Sequence, residues 1–218
     1  MEPSERALVL ISSLTPAGKA KLKSLYRGLG TVSVELADLI LRPHYGRMRV
    51  LTERAATRPA FVRAVTLVAA QPQIDAVDVI VVLHGSPGRL IFDNGRGKGD
   101  SVDVRDLIPD LAPARAKLRV LYSTACYGLS HAQPFVDAGF EAACGAIGSC
   151  ANGPVEYPQV LSMWSHGHTF KDAVNKGDDP STRKIFDAAA WLSGFHDANS
   201  DKEIKGDLTT TIDSVPTP

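Results

Sequence analysis

Two short runs, 77–83 (VDVIVVL) and 118–123 (LRVLYS), restrict the folds open to this chain more than anything else in it. Each is nearly continuous in apolar, largely β-branched residues, without the alternation of a strand that is half solvated. Each must therefore be covered on both faces, as in a parallel sheet with helices on either side. The rest of the chain supplies the matching parts. A strand is predicted over 7–14 (ALVLISSL), followed by a helix over 16–29 with Thr15 as N-cap and Gly28 or Gly30 near its end. A second strand is predicted over 31–39 (TVSVELADL), a short one over 47–53, and a helix over 60–70 with Pro59 at its mouth.

Beyond the first buried run, 89–104 reads as a hairpin around a Gly-rich tip, and 104–111 as a short helix. After the second run come a helix over 130–138, a strand over 140–147 (FEAACGAI), and helical spacing over 154–193 broken at Gly167 and at 176–180. The expected fold is α/β: a three-layer sandwich with a mostly parallel central sheet flanked by helices. Residues 1–196 are expected to form one domain and 197–218 a flexible C-terminal tail.

Lys plus Arg and Asp plus Glu both number 24, so no net field draws the chain to nucleic acid or anionic lipid. The first residues lack the basic start and long apolar stretch of a secretory signal, and no run approaches a membrane span. Three cysteines, Cys126, Cys144 and Cys150, are too few for a disulfide framework in 218 residues, and the expected compartment is the cytoplasm.

Both buried runs end in a reactive side chain: VIVVLHGSPG carries His84 and RVLYSTACYG carries Cys126. The carboxyl ends of parallel strands are where an α/β sheet opens its crevice. A thiolate attacks an acyl carbon, and a nearby imidazole serves as its base and as acid for the leaving amine. The backbone N–H groups of Gly85 and Cys126, where the chain leaves the sheet, suit an oxyanion hole.

The two blocks resemble the His-Gly and Ala-Cys blocks of the caspase-like (clan CD) cysteine peptidases, especially the bacterial CHAT branch related to separase, clostripain and gingipain. The pair lies 42 residues apart, near the separation of about 50 known in caspases. The likeness covers roughly 77–192, including the hairpin with Asp93-Asn94-Gly95, AGFEAACGAIG and WSHGHTFKDAVNKG. It implies a cysteine endopeptidase acting through a Cys126–His84 dyad, with a thioacyl intermediate, a protein or peptide substrate, no cofactor and no metal. It also implies that Thr124, two before the cysteine, lines the S1 pocket, so the residue at P1 is expected to be neutral or apolar. As in a zymogen, the tip at 95–99 or the loop 148–158 is expected to need cleavage or an activating protein partner.

Other readings compete. Cys144 and Cys150 read as packing residues. His166-Gly167-His168 has the wrong spacing for a zinc helix, and Gly95-Arg96-Gly97-Lys98-Gly99 lacks the remainder of a phosphate loop. An α/β-hydrolase-type cysteine hydrolase would need Gly where Thr124 stands and a base from His166, His168 or His196. A catalytically silent caspase-like interaction module would need neither His84 nor Cys126.

Overall fold

The protein is described from a computed structural model covering residues 1–16 and 22–216. Its strands are β1 (Arg6–Ser13), β2 (Arg47–Thr52), β3 (Ala76–Ser86), β4 (Arg89–Asp93), β5 (Gly99–Asp103), β6 (Leu118–Ser123), β7 (Ala142–Ala146) and β8 (Lys202–Gly206). The helices are α1 (Lys23–Leu41), α2 (Arg58–Ala69), α3 (Leu107–Leu111), α4 (Leu129–Ala138), α5 (Gly153–Ser165), α6 (Phe170–Gly177) and α7 (Pro180–Leu192). The main sheet runs β2-β1-β3-β6-β7-β8, parallel throughout except for the antiparallel β8 at one edge. The β4–β5 hairpin branches from the carboxyl end of β3.

Alternate residues of the central strands feed two cores, which makes the molecule the α/β three-layer sandwich expected from its sequence. Val9, Ile11, Val79 and Leu121 pack with Phe61 and Val65 of α2, Leu107 of α3 and Phe135 of α4. Leu8, Leu10, Ile80, Val82 and Tyr122 pack with Leu41 of α1, Leu161 and Trp164 of α5, and Phe170 of α6. At about 1.5–3 kcal/mol per buried aliphatic or aromatic side chain, burial on both faces explains why the central strands carry unbroken apolar runs.

Two segments depart from the sequence-based expectation. Residues 31–39 are not a strand: α1 continues through them, and Gly30, Ala37 and Leu41 are buried along one stripe with Val34 packed beside them. That spacing has the helical period, whereas Val32 of the apparent alternation stays 49% exposed. The expected helix start at Pro16 runs into 17–21, outside the described residues. At the other end, the described part of the expected tail, 197–216, is not loose: Lys202–Gly206 pairs with β7, and Thr210 and Ile212 are buried.

The cause of that anchoring lies at the amino end of β6. The register between β3 and β6 shifts between Val77/Leu118 and Val79/Leu121, a bulge that turns Arg119 into the core. Its guanidinium binds Asp78 at 2.6 and 2.9 Å and donates to the carbonyls of Ile212 and Ser214. The last described residues are thereby fixed to the underside of the sheet.

Candidate active site

β3 outruns its parallel neighbour. Its pairing with β6 ends at Val81↔Ser123, Thr124 adds one more N–H to the Val81 carbonyl at 3.0 Å, and β3 continues to pair His84, Gly85 and Ser86 with β4. His84 therefore stands where β3 changes partners, two residues beyond Val82 and on the same face. Its Nε2 lies 2.7 Å from the carbonyl of Leu14, directly after β1. A carbonyl only accepts, so Nε2 carries the proton and the neutral ring keeps its lone pair on Nδ1. Tyr26 of α1 meets the ring edge-on at 4.9 Å. Burial pushes the His84 pKa below its ordinary value, against a smaller opposing pull from the Leu14 carbonyl.

Cys126 begins the turn between β6 and α4, partly exposed. Its sulfur accepts the N–H of Cys150 at 3.4 Å. The Tyr26 hydroxyl is pushed up by burial and secondarily by negative charge at Cys126, so the same phenol that abuts His84 also senses the sulfur. No hydrogen bond joins the His84 ring to the Cys126 sulfur. The backbone N–H of Cys126 has no acceptor among the described residues, which leaves it available to an incoming oxygen.

Close packing of main chain holds the two blocks together. A Cβ on Gly85 would sit 2.4 Å from the Cys126 carbonyl oxygen, 2.9 Å from Cε1 of His131 and 3.1 Å from the Ala125 Cβ. The missing side chain thus makes room for the cysteine turn itself. On the far side of the turn, Gly128 and Gly145 pack backbone to backbone, where an added Cβ would lie 2.2 to 2.8 Å from main-chain atoms. Ser130 bridges the two loops, accepting the Gly88 N–H at 2.8 Å and donating to the Tyr127 carbonyl at 2.6 Å. Tyr127 adopts φ 56°, an uncommon conformation for a residue with a side chain.

The structure brings His84, Gly85 and Cys126 together at one rim of the sheet. Thr124 is there too, with its hydroxyl turned back onto the Val81 carbonyl at 3.3 Å. Residues 153–158 of the expected loop belong to α5, and the remaining 148–152 are tethered: Gly148 bonds to Tyr127 and Asn199, and Ala151 to Ser200. His166 follows α5 beyond Trp164, which packs on Tyr45 at the opposite end of the sheet. His196 lies at the near end, edge-on to Trp191.

Four neighbours were not singled out as site residues from the sequence. Tyr26 touches His84. His131 is fully buried on α4, its Nε2 donating to the Ser86 carbonyl at 2.8 Å while Nδ1 has no partner. Beneath the cysteine turn, Lys202 and Glu156 form a pair at 3.3 Å with both side chains fully buried, and Tyr122 donates to the same Glu156 oxygen at 2.7 Å. Nothing local marks these residues, since their partners are distant in sequence.

Among the described residues no group of three or more His, Cys, Asp or Glu side chains is placed to hold a metal ion, and no helix is long and apolar enough to cross a membrane. Compared with protein-family models and with curated proteins, the chain matches none.

Proposed function

We propose that the protein is a cysteine endopeptidase in which Cys126 attacks a peptide carbonyl and His84 moves the proton. The observation that carries this reading is the junction of the two strand ends: a Cβ on Gly85, the residue after His84, would lie 2.4 Å from the Cys126 carbonyl oxygen, and Tyr26 meets the His84 ring edge-on. In the proposed reaction the lone pair on His84 Nδ1 accepts the thiol proton and the thiolate adds to the carbonyl. The free N–H of Cys126 steadies the oxyanion, with the Gly85 amide as its expected companion, and the imidazolium returns the proton to the leaving amine. Water then hydrolyses the thioacyl intermediate by the same steps. Burial favours the neutral base at neutral pH, which suits the first proton transfer.

The resemblance to caspase-like peptidases of the CHAT branch supports the same assignment. It also supports a protein or peptide substrate with a neutral or apolar P1 residue beside Thr124. The α/β-hydrolase alternative keeps only His196 as its base, because His166 and His168 lie toward the opposite end of the sheet, and the positive φ of the turn falls on Tyr127 instead of on the cysteine.

Turnover of a fluorogenic peptide library tests the proposal. Cys126→Ala should abolish cleavage, and His84→Ala should lower kcat/KM by roughly 10²–10⁴-fold with the fold intact by circular dichroism. Unchanged turnover in His84→Ala, or loss only in His196→Ala, would overturn it.

A further inference from the structure

Cys150 is a second thiol at the rim that peptide hydrolysis does not use. Its N–H points at the Cys126 sulfur from 3.4 Å, and its own sulfur lies 3.7 Å from Lys202 Nζ and 3.7 Å from the Asn152 side-chain oxygen. In any staggered rotamer a cysteine sulfur sits roughly 3–4 Å from its own amide nitrogen. Closing the remaining gap between the two sulfurs takes a rotation about χ1 at Cys150 and a shift of the segment 149–152 against its bonds to Asp197, Asn199 and Ser200. The two thiols differ in environment. Both cysteines are partly exposed, but the Cys150 sulfur is engaged by Lys202 and Asn152, and burial pushes its thiol up to about 12 against the pull of Lys202. The sulfur without such contacts, Cys126, is the one assigned to meet a solute oxidant, and Cys150 the one that follows.

We propose that Cys126 and Cys150 are a peroxide-sensitive pair in which oxidation of Cys126 is captured by Cys150 as an intramolecular disulfide. In the first step the Cys126 thiolate attacks one oxygen of a hydroperoxide; an S–O bond forms, the O–O bond breaks, and hydroxide or alkoxide departs. Cys150 then attacks the sulfenic sulfur; the S–S bond forms, the S–O bond breaks, and the hydroxyl leaves as water with the proton of Cys150. A dithiol reverses the process by exchange. Disulfide formation is argued from the contact between the Cys150 N–H and the Cys126 sulfur and does not depend on the peptidase reading. Its consequence, a peptidase silenced reversibly before Cys126 is lost to over-oxidation, rests on the function proposed above.

The test treats the full chain with hydrogen peroxide and follows free thiols, non-reducing peptide maps and labelling by a peptidyl electrophile. The expected result is loss of two of the three thiols, a Cys126–Cys150 cross-linked peptide, and a fall in labelling of at least tenfold that dithiothreitol restores. Cys150→Ser should convert this into irreversible over-oxidation of Cys126, and Cys144→Ala should leave the cross-link unchanged. A Cys144–Cys150 or intermolecular cross-link, or sulfinic Cys126 in the unaltered chain, would overturn the proposal without recourse to any variant. A cross-link in a chain that cleaves no peptide would sink the peptidase reading and leave the disulfide standing.

Discussion

One buried ion pair lies at each end of β6, and the two are built from similar parts. At the amino end, Asp78 and Arg119 are almost wholly enclosed, and the pair is closed: one carboxylate oxygen takes Arg119 Nε and the Val120 N–H, the other takes Arg119 and the Tyr45 hydroxyl. The guanidinium also lies 5.5 Å from the Trp164 ring centre, whose indole N–H reaches Tyr45 at 2.9 Å. At the carboxyl end, Lys202 and Glu156 are as deeply enclosed, and Lys202 lies 5.7 Å from the Tyr122 ring centre. There, however, both hydrogen-bond partners crowd onto one Glu156 oxygen, the other oxygen has none, and Lys202 spends part of its reach on Cys150. The closed pair ties the chain terminus to the sheet. The open pair underlies the cysteine turn, where incomplete satisfaction is tolerated next to reactive groups.

The largest expected effect separates the two directly. Removing the partner of a buried charge costs about 3–5 kcal/mol, so Arg119→Met should lower unfolding stability by that amount in urea titration and release the segment 210–214 to hydrogen exchange. Lys202→Met should cost less. Burial already raises the Glu156 carboxyl above its unfolded value, so Glu156 can take a proton once Lys202 is gone. With its pKa raised, that carboxyl favours folding below the unfolded pKa and loses the benefit as pH climbs through the folded one. The deficit of Lys202→Met relative to the unaltered chain should therefore shrink on acidification. A deficit equal to that of Arg119→Met and independent of pH would erase the distinction.

Gly85→Ala sharpens the view of the carboxyl end. The new methyl meets the Cys126 carbonyl and the enclosed His131, neither of which yields cheaply, so a loss of about 1–3 kcal/mol from overpacking is expected. Thiol labelling should fall by more than that loss of stability explains, because the cysteine turn is displaced. A smaller effect is expected from pH alone. His84 and His131 both have pKa values lowered, chiefly by burial. The stability each contributes is present above the unfolded value of about 6.5 and is lost as pH falls through the folded one. Unfolding midpoints should decline below that range, and His131→Gln should flatten the decline.

Much of this arrangement was readable in the sequence, for identifiable reasons. The runs that became β3 and β6, the hairpin between them, and α2 with Pro59 in its first turn all depend on local patterning, whereas the Thr57 cap was not read. The strand ends bearing His84 and Cys126 were readable for the same reason. Residues 31–39 misled because Val32, Val34 and Leu36 alternate, while the stripe through Gly30, Ala37 and Leu41 acquires meaning only against Leu8 and Leu10 of the sheet. The terminus misled because KEIKG is polar on paper. Its Lys202 is buried only because Glu156, 46 positions earlier, lies opposite it. Cys150 looked like packing because its contact with Cys126 depends on how the chain leaves β7.

A His84–Cys126 dyad makes covalent capture of the thiol depend on both residues. Full-length protein is incubated with an irreversible peptidyl acyloxymethyl ketone and the adduct is located by peptide mapping. One adduct, on Cys126, formed at a rate that falls at least a hundredfold in His84→Ala, is the predicted result. An adduct on Cys144 or Cys150, none at all, or an unchanged rate without His84 would contradict it.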